Sequence, residues 1–194
     1  TRQADLTEPS ILERLVAEIK PDVILHCAAM ANVDECEKRP ADAQQVNATL
    51  PGEIAATAKK HAIKLVHIST DAVFDGQKGD YTENEEPKPL SIYAQTKRDG
   101  ELAVLEANPD ALVARVNFYG WSISGTRSLA EFFVNNLSEG KDVKGFTDIH
   151  FCPMMVLDLA ATLTEAVEKN LAGLYHCVGP KGMSKYDFGV AIAR

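Results

Sequence analysis

The chain reads as an α/β protein: part of a Rossmann-like, doubly wound parallel sheet, with part of a small substrate-binding lobe. Three observations predict this. Short apolar runs of strand length alternate with segments of helical periodicity. The runs at 23–28, 65–69 and 111–116 are nearly continuous rather than alternating, as parallel strands covered on both faces are. The segments between them are long enough to hold crossover helices.

The elements follow in order. Asp5-Leu6-Thr7 looks like the tail of a strand. Ser10 opens a helix, with Glu13 three residues on completing a capping box. Ile11, Leu12, Leu15, Val16 and Ile19 keep helical spacing until Pro21-Asp22 breaks it. Residues 23–28 form the first full strand. Residues 40–61 read as a helix with an Ala-rich face, kinked or joined at Pro51. The next buried strand is 65–69, and 75–91 is a loop rich in Gly, Pro and Glu. A helix covers 92–107 and a strand 111–116. Helices follow near 128–138 and 157–169, then a short strand at 173–178 and a further helix from 184. There is no internal repeat and no low-complexity segment.

Composition excludes several classes. The 194 residues carry a net charge of −8 with no basic stripe, which argues against a nucleic-acid partner. No apolar run approaches the roughly 18–20 residues of a membrane helix. Cys27, Cys36, Cys152 and Cys177 form no C-x-x-C pair, and no His cluster has metal-ligand spacing. Cys27 and Cys177 read as small buried hydrophobes in a reducing cytosol. His26 and His67 read as satisfied core histidines, and Glu83, Glu85 and Glu86 as a solvated loop.

The chemistry concentrates in two places. Ser69-Thr70-Asp71 ends one strand, and Tyr93 stands four residues before Lys97 on the following helix. Positions i and i+4 share a helix face, so phenol and ammonium point the same way. A free tyrosine has a pKa near 10, and a neighbouring ammonium is expected to lower it toward working pH. That pairing suits proton delivery to the oxygen of a carbonyl being reduced, with a nicotinamide as hydride source for its carbon and Thr70 also on the carbonyl oxygen. Ligands of such sheets sit beyond the carboxyl ends of the strands. Thr70 and Asp71 lie at one such end, and Ala28, Ala29 and Met30 at another. No G-x-G-x-x-G occurs, so the pyrophosphate-binding turn is not in this chain. The expectation is a piece lacking the first βαβ unit and the C-terminal end.

At these residues the chain resembles the extended short-chain dehydrogenase/reductases, above all their dTDP-4-dehydrorhamnose reductase branch. The resemblance runs in order along nearly the whole chain: Asp5-Leu6-Thr7, the strand from Pro21 into Ala28-Ala29, Val46-Asn47-Ala48, Ser69 to Gly76, Tyr93-x-x-x-Lys97, Arg115 to Gly120, and Pro153 with Val156-x-Asp158-Leu159-Ala160. Ala94 stands where a Gly commonly follows the Tyr, and Trp121 comes later than in most members. The resemblance implies reduction of a dTDP-4-keto-6-deoxy sugar to dTDP-L-rhamnose, or a related nucleotide-sugar reaction, with NADP or NAD. Tyr93 would be the acid, Lys97 its partner and a ribose ligand, Thr70 the carbonyl anchor, and Asp71 a substrate-positioning group. Asp5, Leu6, Ala28, Ala29, Met30 and Ser69 would line the cofactor, and Asn47 would support Lys97 from behind. Residues 1–120 would form the partial NAD(P)-binding domain. Residues 121–194 would hold the substrate lobe with a return strand and helix of the sheet. A cytoplasmic protein, with room for a homodimer, fits the same resemblance. Two other readings stay open. One is an epimerase or dehydratase of the superfamily. The other is a non-catalytic regulatory subunit resembling that of methionine adenosyltransferase.

Overall fold

The computed structural model describes residues 2–8 and 10–194. They form two units: one runs up to Val116 and includes Ala166–His176, the other comprises Asn117–Glu165 and Cys177–Arg194.

The first unit is built on β1 (Val23–His26), β2 (Lys64–Thr70), β3 (Leu112–Val116) and β7 (Gly173–Cys177), in the order β1-β2-β3-β7. β1 pairs in parallel with β2, and β2 with β3; His26 faces His67, and Ser69 faces Arg115. One sheet face packs against α4 (Leu50–Lys60) and α5 (Ile92–Ala107) through Leu65, Val113, Ile54, Val104 and Ala58. Burying each large aliphatic side chain there contributes about 1.5–3 kcal/mol. Because strand side chains alternate, His26, His67, Ser69 and Arg115 project to this same helix-covered face, near the carboxyl ends. β1 is the open edge among the described residues: Val23 is 40% and Leu25 53% exposed. The expectation that both its faces are covered therefore fails in this chain.

Other local expectations need correction. Asp5-Leu6-Thr7 is a turn, with the Asp5 carboxylate accepting bonds from Thr7 N and Oγ1 at 2.9 and 2.7 Å. Ser10 makes no capping bond to α1 (Ile11–Ile19), because its φ of 68° turns the side chain away. Glu13 pairs instead with Lys60 and His61. The segment 40–61 is interrupted ahead of Pro51. α3 (Pro40–Gln44) passes through one π turn, Gln45–Thr49, into α4, and Pro51 sits in the first turn of α4, where its missing N–H costs nothing. A short helix, α2 (Val33–Lys38), was not foreseen. Cys27 is exposed, although Cys177 and Cys36 are buried.

In the second unit β4 (Phe118–Tyr119) pairs in parallel with β6 (Met154–Met155), and β5 (His150–Phe151) is antiparallel to β8 (Met183–Ser184). α6 (Leu129–Ser138) and α8 (Lys185–Ile192) meet through Phe133 and Phe188. Ser128 and Glu131 form a true capping box on α6. The buried Glu131 carboxylate also accepts from Ser122 Oγ (2.9 Å), Arg127 N (2.7 Å) and Ser128 N (2.8 Å). Desolvation pushes its pKa up, but these donors outweigh it and hold the group at about 2. α7 (Val156–Glu168) completes the helices. No helix of the described residues is long and apolar enough to cross a membrane.

Candidate active site

The site stands on α5 and the end of β2. Ser91 caps α5, its Oγ accepting from Ala94 N at 3.2 Å, and Glu37 of α2 accepts from Ile92 N at 2.8 Å. These bonds fix the first turn, which carries Tyr93. The Tyr93 phenol lies beside Thr70, whose hydroxyl favours its ionised form. Thr70 Oγ1 also accepts from Ala72 N at 3.1 Å, capping the short 3-10 turn Asp71–Val73, and lies 3.4 Å from Asp71 Oδ1. Phenol, hydroxyl and carboxylate thus gather at one strand end.

Lys97 is buried to 2% exposure and donates to the Ile68 carbonyl at 2.7 Å. Burial lowers its pKa to about 8, with Glu101 and Cys27 pulling the other way. The Tyr93 phenol moves opposite to the expected direction. Desolvation raises it above 10, Thr70 lowers it in part, and Asp71 and Cys36 add to the rise. Lys97 does not reverse this, because its ammonium is turned onto the β2 backbone rather than onto the phenol.

Asn47, in the π turn, is fully buried. Its Oδ1 accepts from Met30 N (2.8 Å), and its Nδ2 donates to Met30 O (3.0 Å) and Thr96 Oγ1 (3.2 Å). Thr96 Oγ1 in turn donates to the Tyr93 carbonyl at 3.0 Å. The side chain therefore ties the segment after β1 to the helix bearing Tyr93, and reaches Lys97 only through that helix. The backbone there is equally tight: a Cβ on Gly100 of α5 would stand 2.1 Å from the Asn47 carbonyl oxygen.

Asp5, Leu6 and Ala28 line one cleft of about 500 Å³ together with Thr7, Val46 and Leu50. Ala29 and Met30 follow on the same strand end. Ser69 is placed elsewhere: its hydroxyl is buried and donates to Glu101 Oε1 at 2.6 Å.

Sequence reasoning missed the polar layer that Ser69 joins. Glu101 grips Arg115 in two bonds, Nε to Oε1 at 2.8 Å and Nη2 to Oε2 at 2.7 Å, with both side chains buried. Arg115 also lies over the Phe74 ring (4.9 Å) and near His176 (3.4 Å). Glu83 accepts from His176 N at 2.9 Å, and Phe74 stacks on Tyr81, whose hydroxyl bonds Asp75. Glu83 thereby tethers the acidic loop to β7, while Glu83 and Glu86 stay exposed to solvent. A signal existed: Tyr93, Lys97 and Glu101 lie at i, i+4 and i+8 on one helix face, and Arg115 is a charge inside a buried strand.

Comparison with known proteins bears on this geometry. A family model described as the RmlD substrate binding domain matches residues 1–194. The chain belongs to the RmlD substrate-binding-domain family. The likeness spans 98% of the chain in a probable low-salt glycan biosynthesis reductase, Agl14, of Haloferax volcanii, at 36% identity over 65% of that protein. The methionine adenosyltransferase 2 subunit beta of Rattus norvegicus is 33% identical over 98% of the chain and 59% of its own length. A dTDP-4-dehydrorhamnose reductase from Bacillus anthracis, solved in complex with NADP, superposes with a TM-score of 0.91 at 30% identity, covering 97% of this chain and 67% of that one. The chain thus spans about three fifths to two thirds of the length of these relatives.

Proposed function

We propose that this protein is an NADPH- or NADH-dependent reductase of a nucleotide-linked 4-keto-6-deoxy sugar, with a dTDP sugar as its substrate. The observation that carries the reading is Tyr93 and Thr70 side by side at the end of β2, next to a buried Lys97 anchored on Ile68. A phenol raised above 10 stays protonated at neutral pH, as an acid must before it delivers its proton. Thr70 and Tyr93 would hold the carbonyl oxygen from two sides. Tyr93 would pass its proton to the forming alkoxide. Asp71 would position the sugar.

The residues present fit part of a nicotinamide dinucleotide. Asp5, Leu6 and Ala28 offer a cleft with an acidic rim for the adenosine end, Ala29 and Met30 a small-residue approach, and Lys97 a donor for the nicotinamide ribose. The bound nicotinamide would supply the hydride. Asn47 would keep Met30 in register with Tyr93.

The test follows NADPH and NADH absorbance with a dTDP-4-keto-6-deoxy sugar, in wild type and Tyr93→Phe, with cofactor binding measured separately. Consumption by wild type and a loss of at least a hundredfold in the variant, with binding kept, is expected. Equal turnover in both would refute the role of Tyr93. The methionine adenosyltransferase subunit relatives favour a second reading, a regulatory partner that binds the cofactor without consuming it. Cofactor binding with no consumption by wild type would select that reading.

A further inference from the structure

β3 is buried along its whole length and carries one charge, Arg115, 1% exposed. No step above uses it. Stability does not account for it, because both members of a buried ion pair must be stripped of water. Apolar residues of similar volume often serve as well or better. What sets Arg115 apart is how its guanidinium is held. Nε and Nη2 grip the two oxygens of Glu101 at 2.8 and 2.7 Å, and Nη1 lies 3.4 Å from His176 Nε2. Arginine only donates, so His176 accepts there. With its edge committed on both sides, the plane of the guanidinium is fixed and its flat face is left over. Phe74 takes that face, with its ring centroid 4.9 Å from Cζ. Tyr81 stacks on Phe74 at 4.3 Å, and His176 meets it at 5.7 Å in a T-shape.

Phe74 matters because of where it stands in the chain. Ser69 is the register partner of Arg115, and Thr70 that of Val116. Past Thr70 the chain makes the 3-10 turn Asp71–Val73. Thr70 Oγ1 caps the start of that turn by accepting from Ala72 N at 3.1 Å. Phe74 N closes it by donating to the Asp71 carbonyl at 3.1 Å. The turn thus starts one residue past the partner of Arg115 and ends on a side chain seated on Arg115.

We propose that Arg115 is a positioning residue for Thr70 and Asp71: its guanidinium face seats Phe74, and Phe74 holds the turn that presents them. Lysine could not replace it, since a compact ammonium has neither the fork for Glu101 nor a flat face for the ring. An apolar residue would fill the volume and leave Phe74 without a fixed seat. The role of Asp71 toward the sugar rests on the reading above. The geometry of the turn does not, so the two are measured separately.

Amide hydrogen exchange at Ala72 and Phe74 reads the turn without any turnover. Arg115→Lys and Phe74→Leu should each lower protection at both amides about tenfold, over and above any change at the core amides of β3 and α5. If Arg115→Lys does not fold, Arg115→Leu with Glu101→Met takes its place, since it leaves no buried charge unpaired. Wild-type protection in Phe74→Leu, or in a folded variant without the guanidinium, overturns the proposal. The second readout separates positioning from plain packing. In Phe74→Leu the KM for a dTDP-4-keto-6-deoxy sugar should rise about tenfold while NADPH binding is unchanged. An unchanged KM, or equal losses in sugar and cofactor binding, overturns the positioning role. A wild-type protein that consumes no cofactor would sink the assigned reaction, and the exchange pattern would then decide this proposal by itself.

Discussion

Replacing Gly100 by Ala sets two effects of opposite sign against each other. Gly100 lies in the middle of α5, and helix propensity alone favours Ala there by about 1 kcal/mol. The structure says otherwise. The added methyl would sit 2.1 Å from the Asn47 carbonyl oxygen and 3.5 Å from Ala48 Cα, whereas ordinary Cβ contacts begin near 3.4 Å. Both neighbours are backbone in the π turn, so no side chain can rotate away. The helix must retreat by roughly 1 Å, and overpacking of this kind costs about 1–3 kcal/mol, more than propensity returns. The retreat also carries Lys97, one turn earlier on α5, away from the Ile68 carbonyl, and misplacement by about 1 Å can cost on the order of 10²-fold in rate. Urea unfolding of wild type and Gly100→Ala measures the first effect, and turnover of the folded variant the second. A variant as stable as wild type, or more so, would refute the close packing of α5 on the π turn.

The buried ion pair gives a second expectation. Glu101→Ala leaves Arg115, 1% exposed, without its carboxylate, and should cost about 3–5 kcal/mol in urea unfolding. The double change Glu101→Met with Arg115→Leu should cost much less; equal losses would mean that the pair matters as packing rather than as charge. Acid sensitivity is a third. His26 has its pKa lowered by burial to about 4, below the 6.5 of the unfolded chain, so the unfolded state takes up the proton first as pH falls. Stability is then whole above pH 6.5 and declines by roughly 3 kcal/mol toward pH 4. Unfolding curves across this range should flatten in His26→Gln, and an identical slope in that variant would point to other groups.

What the sequence made legible was what depends on short-range pattern. Strand runs, the α5 helix and the shared face of Tyr93 and Lys97 follow from periods of two and 3.6, and the structure has them within a residue or two. What depends on three-dimensional neighbours was not legible. The Ser10 capping box failed because a backbone angle overrode a favourable spacing. The break in the segment 40–61 falls at the π turn rather than at Pro51, since an added residue per turn leaves no mark in residue type. Ser69 sits in a motif that suggests the rim, yet strand alternation turns it inward to Glu101. Where the Lys97 ammonium ended was decided by the main-chain carbonyl of Ile68, 29 residues earlier in the chain, not by helix spacing.

The open edge of β1 bears on how this polypeptide behaves when handled by itself. Among the described residues no strand pairs with the outer side of β1, and this edge, flanked by exposed Val23 and Leu25, is a template for another chain to add to. Concentrated solutions of the 194-residue chain should therefore self-associate through that edge. A lysine at Leu25, on the outward side of the strand, should keep it dispersed without touching the helix-covered face on which Tyr93 and Lys97 depend.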